Sequence, residues 1–158
     1  MRKAVRVVTE RAIDIGQYTF TASDRLMLDT SVWLLIYGPQ VPGDNRVAPY
    51  SDALRRILEA KSRVYIDLVV LSELINTYAR MKHRLVARKL KCKDFRNTAD
   101  FQAVTQDIIA DVRQVMKQCT WIVNSLALPS VDELLEEYKR GQSDFNDRLI
   151  RALCKQHE

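Results

Sequence analysis

The sequence predicts an α/β domain, with a mainly parallel sheet flanked by helices. Two patterns carry that expectation. Short runs rich in β-branched and aromatic residues recur along the chain, and longer stretches with apolar residues at i, i+3 and i+4 lie between them. Alternation of this kind favours parallel strands joined by helical crossovers. With 158 residues, 47% apolar and 28% charged, the chain has the size and composition of one globular domain with a core.

Residues 1–24 read as an N-terminal extension, with a short strand or helix at Ala4–Ile15. The domain proper spans 25–158. Its first strand, read as buried, is Arg25–Asp29, in the apolar run LMLDTSVWLLIYG, where Trp33 to Ile36 are assigned to the core. Pro39 to Ser51 holds three of the four prolines and reads as a loop. Asp52–Ala60 has a helical apolar period, Arg63–Ile66 is a short strand, and Val69–Leu85 is a long helix with Leu71, Leu74, Ile75 and Tyr78 on one stripe. A further helix covers Asp100–Lys117, and Thr120–Leu126 is a strand. Ser130 and Glu133 form a capping box that opens the next helix, which stops at Gly141. The last helix runs from Ser143 to about His157. No strand follows it, although a crossover helix normally returns to the sheet, so the domain is expected to be incomplete at its C-terminal edge.

Composition narrows the function classes. No run of about 18 apolar residues exists to span a bilayer, and the basic N-terminus lacks the apolar centre of a secretion signal. Cys92, Cys119 and Cys154 are odd in number and far apart, which suits neither a disulfide framework nor a zinc site. Two histidines are too few for a histidine-based metal centre. A reducing cytoplasm is the expected location, with no membrane association. The net charge of +5 is unevenly spread, because Arg80–Arg96 carries eight Lys/Arg and only Asp94 as acid. That +7 segment leaves about −2 for the remainder. Such a run is either a solvated face or a phosphate-binding patch.

Four acids stand out. Asp29 ends a strand, where ligand sites of parallel sheets lie. A carboxylate buried in such apolar surroundings needs a partner, so Asp29 is either a helix cap or a cation ligand. Glu73 interrupts the apolar stretch Leu68–Ile75, with Asn76 and Thr77 beside it at i+3 and i+4. It is a surface glutamate or a site residue. Asp144 and Asp147 share one face of the last helix, in a first turn where the helix dipole also favours acids. Carboxylates at element starts and strand ends, without nearby His or Cys, suit a hard ion such as Mg²⁺ or Mn²⁺.

The segments MLDTSVW, LSELINTYAR and SDFNDRLIRALC, in this order, resemble the PIN domain family, and are most similar to VapC-type toxin ribonucleases. Asp29-Thr30-Ser31 matches the family's D-[TS]-[NS] strand end, Ser72-Glu73-Leu74 its helical S-E-[LV], and Asp144 to Ile150 its D-x-x-[DN]-x-x-[IL]. Asp147 best matches the third acid, with Asp144 close behind. Family members usually continue into a last strand and a turn that supplies a fourth carboxylate. Here the chain reaches Gln156-His157-Glu158 where that strand is expected to begin.

The resemblance implies a Mg²⁺- or Mn²⁺-dependent endoribonuclease, the toxin of a toxin–antitoxin pair. Asp29, Glu73, Asp147 and Asp144 would hold the metal and carry catalysis, and Thr30 or Ser31 would orient a ligand or phosphate. Arg80, Lys82, Arg84, Arg88 and Lys89 would grip RNA. An antitoxin protein and a homodimer are the implied protein partners. The rival reading is a catalytically impaired PIN-like scaffold for RNA or protein. A phosphatase using Asp29 as nucleophile is disfavoured, because haloacid dehalogenase-type enzymes want a second aspartate where Ser31 stands.

Overall fold

A computed structural model describes residues 13–40, 42–122, 131–141 and 145. In chain order these form β1 (Arg25–Met27), α1 (Thr30–Tyr37), α2 (Val47–Glu59), β2 (Arg63–Ile66), α3 (Leu68–Val86), α4 (Cys92–Phe95), α5 (Ala99–Gln118), β3 (Thr120–Trp121) and α6 (Val131–Lys139). The described strands make a three-stranded parallel sheet in the order β1-β2-β3. Arg25 pairs with Arg63 and Met27 with Tyr65 on one side, and Tyr65 pairs with Thr120 on the other. A further bond from Ile122 N–H to the Ile66 carbonyl, 2.9 Å, continues the β2–β3 ladder. The expected α/β class with a parallel sheet is what the chain adopts.

β2 is the central strand, and its inward residues Val64 and Ile66 are buried. Against them pack Leu71, Leu74, Ile75 and Tyr78 of α3 and Ile108, Val112 and Val115 of α5. Full burial of each large aliphatic side chain stabilises the fold by roughly 2 kcal/mol. Polar links supplement this packing. The Tyr78 hydroxyl donates to Asp111 Oδ2 at 2.7 Å, joining α3 to α5. Burial, and then that carboxylate, push the phenol well above its ordinary value. Gln118 donates to the Tyr37 hydroxyl at 2.8 Å, joining α5 to α1. No described helix is long and apolar enough to cross a membrane.

The structure corrects several local expectations. β1 is not a buried strand: its residues alternate exposed and half-buried, and Met27 is 50% exposed. The cause is its place at one end of the described sheet, with β2 its sole strand neighbour there. The proline-rich stretch is not loop throughout, because α2 begins at Val47. Pro49 falls in its first turn, where a missing N–H costs nothing. Finally, the first strand stops at Met27, two residues short of Asp29, and the basic run beyond Leu85, which no sequence pattern assigns, contains α4, one short turn too brief to show a period. In the run after β1, Trp33 is fully buried and Leu34 and Ile36 pack on the core, while Leu35 is half-buried.

Part of the N-terminal segment lies against the domain. Arg56 donates to the carbonyls of Tyr18 and Ile15 at 2.8 and 2.7 Å, and its guanidinium sits 5.3 Å from the Phe20 ring centre. Ile13–Ile15 is neither strand nor helix, and residues 4–12 lie outside the described set. So do the end of the expected strand at 123–126, Ser130 of the capping box, and the last helix apart from Phe145.

At the C-terminus of α6, Gly141 is buried with φ +75°, and a Cβ there would collide with the Arg96 carbonyl oxygen. This is both a left-handed backbone and a close approach, and glycine alone satisfies the two. Gly141→Ala is expected to destabilise the protein by at least about 2 kcal/mol. The corresponding drop in melting temperature is roughly 5 °C, read by thermal denaturation followed by circular dichroism.

Candidate active site

β1 ends at Met27, and Asp29 follows as the N-cap of α1, with extended backbone angles. Its Oδ2 accepts hydrogen bonds from the Ser31 hydroxyl at 2.6 Å and from the Ser31 backbone N–H at 3.3 Å. These bonds, the hydroxyl first, hold the carboxyl below its ordinary value of 3.8. Asp29 is exposed rather than buried, because the edge position of β1 leaves the strand end open. The cost of burying a charge therefore does not arise, and the capping role is met.

Thr30, the first residue of α1, is only 5% exposed. Its hydroxyl donates to Glu73 Oε2 at 3.3 Å, with the Val70 carbonyl oxygen 3.5 Å away. One hydroxyl thus ties the residue after Asp29 to a glutamate 43 positions further along the chain. Glu73 reaches this point because of how α3 is seated. Asp67 caps the helix, accepting from Val70 N–H at 2.7 Å. The buried stripe of Leu71, Leu74, Ile75 and Tyr78 then fixes the rotation, leaving Val69, Glu73, Asn76 and Arg80 on the outer face. So the polar stripe beside Glu73, anticipated from spacing, faces outward.

That face forms one wall of a cleft of about 600 Å³. Cys92 of α4 and Arg96 just beyond it line the cleft as well, and Phe95, Phe101 and Tyr138 form its apolar floor. These three rings and Phe145 make a row of edge-to-face contacts, with successive centroids 5.6, 5.8 and 6.0 Å apart. Phe145 is fully buried, and it lies between Asp144 and Asp147 in the sequence. The two aspartates themselves are outside the described residues, among which no group of three or more His, Cys, Asp or Glu side chains gathers.

The predicted basic residues divide. Arg80 lines the cleft and donates to the Thr77 hydroxyl at 2.9 Å. Lys82 turns away to Asp107, 3.3 Å distant, and lies over the Tyr78 ring. Arg84, Arg88 and Lys89 are exposed at and beyond the end of α3. Two further cleft residues were not singled out as site residues: Arg96 is lost in the surrounding basic run, and Ser72, though part of the matched S-E-L stretch, looks like any helical serine. The Ser72 hydroxyl is buried with no hydrogen-bond partner among the described residues, where a helical serine normally bonds back to a carbonyl of the preceding turn. Such an orphan costs about 1–3 kcal/mol unless water or a ligand group meets it.

The capping geometry separates two roles of Asp29. Asp29→Asn keeps a side-chain oxygen for Ser31 and is expected to melt close to the wild type, whereas Asp29→Ala is expected to melt lower. Because the folded-state value is depressed, the contribution of the charged cap is present above about pH 4. It is lost as pH falls through the lowered value, so the gap between wild type and Asp29→Asn should change only in acid. Thermal melts between pH 2 and pH 7 on the three proteins check both points.

The family model described as PIN domain matches residues 26–158. Neither a curated protein nor a solved structure matches the chain. Domains of this family have a nuclease-type fold and typically use divalent metal ions. The match covers most of the chain, including both acids linked through Thr30 and the cleft beside them: the chain belongs to the PIN domain family.

Proposed function

We propose that this protein is a metal-dependent endoribonuclease that hydrolyses RNA phosphodiester bonds, the toxin of a toxin–antitoxin pair, with residues 25–158 as its catalytic domain. The observation that carries the reading is the Thr30–Glu73 hydrogen bond, which joins the start of α1, next to Asp29, to the Glu73 helix face beside an open cleft.

The donors fit a hard cation. Asp29 and Glu73 are both exposed, and Asp29 is held ionised by its hydrogen bonds. Asp29 and Glu73, completed by Asp147 and Asp144 of the last motif, would hold Mg²⁺ or Mn²⁺. Support for that completion comes from Phe145, which sits between the two aspartates in sequence and packs on Tyr138, a floor residue of the same cleft. When bound, the ion supplies a water of lowered pKa and neutralises phosphate charge. The chain's own groups do the positioning. Ser31 fixes the Asp29 carboxylate, and Thr30 fixes that of Glu73. Arg80, with Arg84, Arg88 and Lys89 further along, offers cations to the RNA backbone. Exposed Val69, beside Glu73, and the apolar Leu85, Val86 and Leu90 among the basic residues offer contact area to an antitoxin or a second copy.

Cleavage of a structured RNA with Mg²⁺ or Mn²⁺ is expected, and EDTA is expected to abolish it. Glu73→Gln and Asp29→Asn should each lower the rate on the order of 100-fold or more while the proteins stay folded. A folded wild type that binds RNA without cutting it under any divalent ion would instead support the scaffold reading.

A further inference from the structure

The cleft next to Glu73 contains more recognition chemistry than phosphate hydrolysis needs. Asn76 lies one turn beyond Glu73 on the same helix face, about 4.5 Å further along the axis. It is half-buried and lines the cleft, and its amide makes no side-chain hydrogen bond among the described residues. A half-buried amide without partners is set up to meet a ligand rather than to brace the fold. Arg80 follows another turn on, about 10 Å from Glu73 along the axis. Its bond to Thr77 orients the guanidinium without neutralising it. The Ser72 hydroxyl, unpartnered among the described residues, and the aromatic floor complete the surroundings.

On the nuclease reading above, we propose that Asn76 is a specificity-determining residue, and that it reads the base of the nucleotide flanking the scissile phosphate. An amide presents a donor and an acceptor side by side. That pair matches the N6–H and N7 of adenine, held here in single-stranded RNA whose bases are free of pairing. Val69, 72% exposed and lining the same cleft, supplies apolar surface for the base, and Arg80 takes the phosphate one nucleotide further on. Glu73, Asn76 and Arg80 thus serve metal, base and backbone in succession along a single helix.

The test maps cleavage sites on an unstructured RNA containing every dinucleotide, comparing the wild type with Asn76→Ala and Asn76→Gln. The wild type should favour adenine beside the cut about 10-fold, the discrimination one bidentate contact provides. Asn76→Ala should cut with that preference flattened, and Asn76→Gln should recover part of it. A residue that merely stabilised α3 would change the rate on all sites together. A preference unchanged in Asn76→Ala overturns the proposal. A preference for another base that Asn76→Ala abolishes overturns the adenine assignment alone. If the wild type cuts no RNA, the nuclease reading fails, and the subsite is decided by binding. Fluorescence anisotropy with labelled A12, C12 and U12 oligonucleotides in EDTA should then show tighter A12 binding, lost in Asn76→Ala. Equal affinities, or a preference that survives the substitution, overturn the subsite.

Discussion

The rotation of α3 about its own axis sets what the candidate site offers. Four side chains on one stripe, Leu71, Leu74, Ile75 and Tyr78, are buried against the sheet and α5. Because helical residues repeat every 3.6 positions, fixing that stripe leaves no freedom for the opposite one. Val69, Glu73, Asn76 and Arg80 must then face the open cleft. A rotation large enough to move Glu73 away from Thr30 would expose leucine and isoleucine side chains that are now at 0–1% exposure. The hydrophobic core therefore aims the polar groups, and no loop is needed to do so.

The other half of the site depends on a junction rather than a face. Between Met27 and Thr30 the chain passes from extended to helical geometry, and Asp29 is the residue at which it turns. Its carboxylate caps the helix through Ser31, while the next side chain, Thr30, points inward to Glu73. Adjacent residues at a helix start thus face in different directions, one to solvent and one to the interior. This explains how D-T-S can carry both a structural bond and an exposed acid. Capping would not compete with the proposed metal binding, since a carboxylate has several lone-pair sites and Ser31 engages one oxygen.

Much of this was legible in the residues. The strand Arg63–Ile66 has the bounds its composition indicates, and α3 and α5 each extend one residue past the expected ends. Long periodic segments are readable because many positions agree on one period. The start of α2 was hidden by Pro39, Pro42 and Pro49, whose meaning depends on whether a proline falls before a helix or within its first turn. α4 is too short for periodicity to show. The exposure of Asp29 was hidden because neighbouring apolar residues do not say whether their strand is central or at an edge. Glu73 and its polar neighbours were visible as a stripe, but the cleft they line was not. Its other wall and floor come from α4, α5 and α6, which only tertiary packing brings there.

The aromatic row from Phe95 through Phe101 and Tyr138 to Phe145 has a mechanical meaning. It links α4, α5, α6 and Phe145 through rings that each sit at 0–2% exposure. Edge-to-face rings in a dense interior do not slide past one another gradually, so a displacement of one must be followed by its neighbours or cost several contacts together. The floor of the cleft is therefore stiff across its width, and the His83 ring, 5.2 Å from that of Phe95, ties the last turn of α3 to it, with Leu85 and Val86 exposed beyond that tie. Opening of this molecule would begin beyond that tie, at Leu85 and Val86, and reach the floor last. A substrate would meet a compliant rim over an unyielding base.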